Sequence, residues 1–238
     1  MTEDAETPPV YLRVLTKPKK ERQKWAPNED GPNDHLTLVF DTETTTDYRQ
    51  DLRFGVCRVY ALGNLTRTVA FYETVNEEER DTVSAWAKAR GFDSMPRDEF
   101  VLSVFLPLAL DLRAVVVGFN LPFDLSRLAV DFAPKRNVKA TEAWTLRLLP
   151  NDHPAFAFTP GIRIQHVDAR KSFISFTGTK GKRRSFRGAF VDLKTFTAAL
   201  TGSGHSLKSA GEVLSCSRKK TEADYRGKVT AEYLDYCL

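Results

Sequence analysis

Two carboxylates two residues apart close an apolar run. Leu36-Thr37-Leu38-Val39-Phe40 leads into Asp41-Thr42-Glu43, and three threonines, Thr44 to Thr46, follow. In a strand, residues i and i+2 point to the same face. Like charges on one face at a strand end repel each other, and a cation between them removes that repulsion. Oxygen ligands of this kind suit Mg²⁺ or Mn²⁺. Further along, Ala114-Val115-Val116-Val117 reads as a buried strand, and Gly118-Phe119-Asn120-Leu121-Pro122-Phe123-Asp124 opens a helix behind it. The last stretch, Tyr233-Leu234-Asp235-Tyr236-Cys237-Leu238, reads as a helix with two tyrosines. Each signal alone is weak: any surface strand can carry Asp-x-Glu, and Asn and Asp are ordinary helix caps. Their weight lies in their order.

In that order the three stretches resemble the DEDD 3′–5′ exonucleases, specifically the proofreading domain of family B DNA polymerases, over roughly residues 35 to 238. Asp41 and Glu43 match the first motif, Asp-x-Glu. Asn120, Phe123 and Asp124 match the second, Asn-x-x-(aromatic)-Asp. Tyr236 matches the tyrosine of the third, Tyr-x-x-x-Asp, whose Asp would fall two places past Leu238. The resemblance implies an RNase H-like α/β fold, a mixed sheet flanked by helices with a basic β-hairpin insertion. It also implies phosphodiester hydrolysis with two Mg²⁺ or Mn²⁺ ions about 3.5–4 Å apart. Asp41 would bind both ions, Glu43 and Asp124 would complete one site each, and Tyr236 would orient the attacking water. The bland reading of Tyr236 is a core aromatic, three places after Tyr233; within the motif frame the functional reading is favoured.

Thr44, Asn120 and Phe123 would hold the substrate. A hydroxyl and an amide suit phosphate or sugar oxygens, and a ring stacks on the bases of a frayed 3′ end. Lys220, four places before Asp224, resembles a lysine near the scissile phosphate in the protein-primed branch of the family; the bland reading is a solvated surface lysine. The implied substrate is single-stranded DNA or a frayed primer 3′ end, and the implied partner a polymerase domain or replication protein. No polymerase motif is present, so the expectation is an exonuclease domain of a family B-like polymerase. The alternatives are a stand-alone DEDD nuclease completed by a partner, and an RNase H-like module that only binds nucleic acid or a partner. With three of four carboxylates in the 238 residues, weak activity is expected.

The composition allows this reading without demanding it. The 238 residues are 42% hydrophobic, enough for one large core, and the net charge of +4 is only mildly basic. Cys57, Cys216 and Cys237 have no paired spacing, so a reduced, cytoplasmic setting is expected, with Cys57 and Cys216 as core or near-core filler. No apolar run is long enough to span a membrane. Residues 1–33 are polar and proline-rich and read as a flexible arm, with 34–238 as the exonuclease domain. Between Thr177 and Arg187 lie five basic residues and no acid, Lys182, Arg183 and Arg184 among them. That reads as a hairpin tip, either a solvated edge device or a contact for single-stranded phosphates.

The pattern predicts strands at 36–41, 54–62 and 67–73, and a helix from an Asn76 cap through Val83, Trp86 and Ala87 to Gly91. A helical stretch at 98–112 carries Pro107 as a kink, followed by a strand at 114–119 and a helix at 121–130. Residues 135–160 read as irregular, then strands come near 162–168, 171–177 and 185–192. Helices at 193–200, 206–214 and 230–238 close the chain, the first two with apolar repeats Leu193, Phe196, Leu200 and Leu207, Ala210, Leu214.

Overall fold

The computed structural model describes residues 31–73, 77–134, 143–168, 171–178, 186–217 and 227–238. Most of the expected arm, the Asn76 cap, the basic residues Lys182, Arg183 and Arg184, and Lys220 lie outside the described residues.

The apolar runs build a six-stranded mixed sheet in the order β10-β5-β1-β2-β3-β4. β1 (Asn33–Thr44), β2 (Leu52–Ala61) and β3 (Asn64–Tyr72) form an antiparallel meander. β5 (Ala114–Gly118) and β10 (Ala189–Asp192) extend it in parallel on the far side of β1. β4 (Asp93–Pro96), which the pattern does not predict, adds a parallel edge beside β3. Its four residues carry no alternating apolar signal, and only pairing with β3 makes them a strand.

Period-2 alternation sends the meander's side chains to two separate cores. On one face Leu38, Phe40, Cys57, Val69 and Phe71 pack with the apolar helix that begins as α2 (Arg97–Phe100), and with α3 (Leu121–Leu128). On the other face Phe54, Val56 and Ala70 pack against Val83, Trp86 and Ala87 of α1 (Glu77–Ala89), and against Tyr233 and Leu234 of α6 (Ala231–Tyr236). Each fully buried Phe or Leu here stabilises the fold by about 1.5–3 kcal/mol.

The apolar helix continues beyond α2 as π-helical turns, Val101–Phe105 and Pro107–Asp111. Proline lacks an N–H and its ring crowds the carbonyl one turn back. Wide π turns relieve that crowding, so Pro107 is absorbed as a bulge rather than a break.

A second, antiparallel sheet, β6-β7-β8-β9, joins β6 (Asp131–Pro134), β7 (Ala143–Arg147), β8 (Ile162–Asp168) and β9 (Lys171–Phe176). Its inner face buries Leu146, Ile162, Ile164 and Phe176 in the first core. This corrects two expectations. Residues 135–160 are not wholly irregular, because β7 pairs with β8 across a long sequence gap. The strand expected at 185–192 shortens to β10, which leaves the β8–β9 ladder and joins β5 in the main sheet.

Asp192 caps α4 (Leu193–Thr201), and Ser206 caps α5 (Leu207–Val213) through a capping box with Ser209. Both helices form where the repeats place them, yet Phe196, Leu200, Leu207 and Leu214 are exposed. Cys57 is buried as expected, whereas Cys216 is exposed, beyond the end of α5.

Candidate active site

β1 outruns its parallel neighbour. The last β1–β5 pair is Val39 with Val117, while pairing with β2 continues to Thr44. The backbone edge of β1 past Val39 therefore faces no strand on the β5 side. Asp124 of α3 fills that gap. Its carboxylate accepts from the Thr42 hydroxyl at 2.7 Å and from the Thr42 backbone N–H.

Alternation puts Asp41 and Glu43 on the opposite face from Thr42, opposite Val56 and Phe54 of β2. Both first-motif carboxylates thus lie on the α6 side, and Asp124 reaches the same strand end from the α3 side. Asp41 and Glu43 both act on Asp124. Asp124 is only 2% exposed and its Oδ2 is buried with no hydrogen-bond partner. Burial, then the charge of Asp41, then that of Glu43 push its pKa up to about 8, against the pull of its Thr42 bonds.

The close approach at this strand end depends on Gly55. A Cβ there would lie 2.8 Å from the Asp41 carbonyl oxygen and 2.2 Å from Cζ of Phe71. β2 carries no side chain where it passes Thr42, and the Phe71 ring occupies that space instead.

α6 supplies groups to Glu43. Tyr233 donates its hydroxyl to Glu43 Oε2 at 2.5 Å, and the Cys237 thiol donates to Oε1 at 3.5 Å. Residues four apart share a helix face, so both reach one carboxylate. Burial and the Glu43 acceptor hold the Tyr233 phenol well above its ordinary pKa. Tyr236 packs, partly buried, against the α1–α6 core. Asp235 ties α6 to α1 by accepting from Trp86 Nε1 at 2.9 Å and Arg90 Nη2 at 2.7 Å.

The second motif's other residues sit at the start of α3. Asn120 adopts the left-handed conformation, φ 68° and ψ 43°, which asparagine tolerates better than most residues. Asp192 at the end of β10 locks it there. Its Oδ1 accepts from the N–H groups of Asn120 at 2.8 Å and Leu121 at 3.1 Å, while Oδ2 accepts from Thr195 at 2.7 Å. Lys194 donates to the Asn120 side-chain oxygen at 3.4 Å, which leaves the amide nitrogen as its outward donor. Phe123 is half-buried under the Arg127 guanidinium, 4.8 Å from the ring centroid. Thr44 lies at the β-bulge that ends the β1–β2 pairing.

Thr42, Tyr233 and Asp192 escape sequence reasoning. Thr42 is the unassigned middle of Asp-x-Glu, and only the early end of β5 gives it a role. Tyr233 sits in the expected terminal helix, one turn before the tyrosine that the motif frame selects. Asp192 is only the last residue of the strand expected at 185–192, with no role read for it.

Among the described residues no three His, Cys, Asp or Glu side chains stand grouped as a metal-ligand set. The donor chemistry at the end of β1 still fits a hard divalent ion. A carboxylate with one oxygen lacking a partner, raised in pKa by burial and then by two neighbouring carboxylates, is relieved by a cation. A scan against protein-family models finds no matching family, and a search of curated proteins finds no relative.

Proposed function

We propose that this chain is a metal-dependent 3′–5′ exonuclease domain of the DEDD type, RNase H-like in fold, that shortens single-stranded DNA 3′ ends. The observation that carries the reading is the coupling of Asp124 to Asp41 and Glu43 around an oxygen with no partner. The fold supports it: an antiparallel meander β3-β2-β1, continued in parallel by β5 and β10, brings the first two motifs to one strand end. A polymerase domain is the partner this reading expects.

Asp41, Glu43 and Asp124 would hold the Mg²⁺ or Mn²⁺. The bound metal would supply charge stabilisation for the attacking water and the leaving oxygen. The chain's own residues orient the rest. Thr42 fixes the Asp124 carboxylate, and Tyr233 fixes Glu43. Tyr236, in the motif frame, orients the attacking water. The Asn120 amide, the Thr44 hydroxyl and the Phe123 ring meet the terminal nucleotides, and Lys220, Lys182, Arg183 and Arg184 add phosphate contacts.

A nucleic-acid-binding module without catalysis is the second reading. It is favoured by Glu43, whose two oxygens already accept from Tyr233 and Cys237. One assay separates the two: release of label from 3′-labelled single-stranded DNA with Mg²⁺ or Mn²⁺, and Asp41→Ala as the blank. The 238-residue chain should cleave poorly. A chain extended by two residues, with an Asp completing the frame four places after Tyr236, should cleave on the order of a thousandfold faster. If neither cleaves while both bind DNA, the binding-module reading replaces the nuclease. Full activity of the 238-residue chain would overturn the third-motif alignment.

A further inference from the structure

α6 brings a thiol to the same strand end as the carboxylates. Cys237, partly buried at the end of the helix, holds its Sγ 3.5 Å from Glu43 Oε1 and 3.4 Å from the Tyr233 carbonyl oxygen. Tyr233 occupies the other Glu43 oxygen, Oε2. Oε1 and the sulfur therefore face each other as a pair. A cation is called for here on grounds that do not involve the thiol. Asp124, 2% exposed, keeps one carboxylate oxygen with no hydrogen-bond partner, close enough to Asp41 and Glu43 to feel both charges.

The spacing of the pair selects the kind of ion. Mg²⁺ and Mn²⁺ take oxygen ligands, whereas a thiolate suits Zn²⁺. Zinc takes a thiolate at about 2.3 Å and a carboxylate oxygen at about 2.0–2.2 Å; at the tetrahedral angle those two ligands stand about 3.5 Å apart. Cys237 and Glu43 already have that separation. As the Zn–S bond forms, the thiol proton leaves for the buffer. Two protein ligands leave the rest of the tetrahedron to water, so the ion is exchangeable rather than structural.

We infer that Cys237 and Glu43 form a thiolate–carboxylate site for Zn²⁺ or a similarly thiophilic ion, and that filling it keeps Glu43 from Mg²⁺ or Mn²⁺. The competition rests on the cation site proposed above; the zinc site does not.

The test uses Cd²⁺, whose bond to a thiolate gives an ultraviolet charge-transfer band. It is run on the Cys216→Ser chain, which lacks the exposed thiol, while Cys57 is buried in the core. The band should grow to one ion per chain, vanish in Cys237→Ser, and need about tenfold or more Cd²⁺ in Glu43→Gln. A band that persists in Cys237→Ser, or that Glu43→Gln leaves unchanged, overturns the site. Alkylation needs no substitution near the site: Zn²⁺ should protect Cys237 from iodoacetamide, and equal labelling with and without Zn²⁺ overturns the site as well. Calorimetric titration with Mn²⁺ reads the competition. One equivalent of Zn²⁺ should weaken Mn²⁺ binding about tenfold or more in the Cys216→Ser chain, and far less once Cys237 is also replaced by Ser. An equal effect of Zn²⁺ on both chains overturns the competition. Mn²⁺ binding with no Cd²⁺ band sinks the thiol site and leaves the nuclease reading standing; a Cd²⁺ band with no Mn²⁺ binding does the reverse.

Discussion

Asp124 is the residue on which the site turns, because its carboxyl is buried while two further acids stand at the same strand end. With its pKa near 8 in the fold, against about 3.9 for a free Asp, the folded chain keeps a proton that the unfolded chain has released. Metal-free stability should therefore fall as pH rises from about 4 through 8 and level off above that, by at most about 1.4 kcal/mol per pH unit. Denaturant melts in EDTA across that range check the slope, and Asp124→Asn should flatten it. Thr42 pulls the other way, since its bonds favour the charged carboxylate. Thr42→Val should cost about 0.5–1.5 kcal/mol and move the upper end of that pH range higher still. A pH profile unchanged by both substitutions would mean that Asp124 does not titrate as the geometry requires.

At the scale of elements, the site exists because β1 runs past β5 and α6 docks on α1. Gly55→Ala should distort the strand end, because its new methyl meets the Asp41 carbonyl and the Phe71 ring at once. The expected loss is about 1–3 kcal/mol of stability, read by thermal melts, together with weaker metal binding. Asp235 tests the other support. If it only clamps α6 through Trp86 and Arg90, Asp235→Ala should cost roughly 1–3 kcal/mol and speed amide exchange in α6, with metal affinity nearly kept. Abolished metal binding would make it a ligand instead.

The elements also show what the sequence can carry. Asp-x-Glu was legible because strand alternation is local, and Asn-x-x-Phe-Asp because Pro122 and the Val-rich strand mark a strand-to-helix turn. Thr42 was not legible, since its bond to Asp124 depends on where a neighbouring strand ends. β7 was hidden for a related reason: five residues become a strand only through a partner almost 20 residues on. The α4 and α5 repeats gave the right helices, but an apolar stripe does not say whether anything covers it.

Along the whole chain, five basic residues and no acid fall between Thr177 and Arg187. Neutralising Lys182, Arg183 and Arg184 should lower the salt slope of single-strand binding by up to about 2, which titrations at several salt concentrations measure. No helix among the described residues is long and apolar enough to cross a membrane. The account stands or falls on whether Asp41, Glu43 and Asp124 make one cation site. The most direct measurement is calorimetric titration with Mn²⁺ at pH 7, in two buffers of different ionisation enthalpy. A carboxyl with a pKa near 8 is mostly protonated at that pH, so Mn²⁺ should bind with release of close to one proton. Asp124→Asn should bind more weakly and release none, and Asp41→Ala should bind poorly or not at all. Mn²⁺ binding that is absent, or that survives both substitutions with the same proton release, would contradict the site.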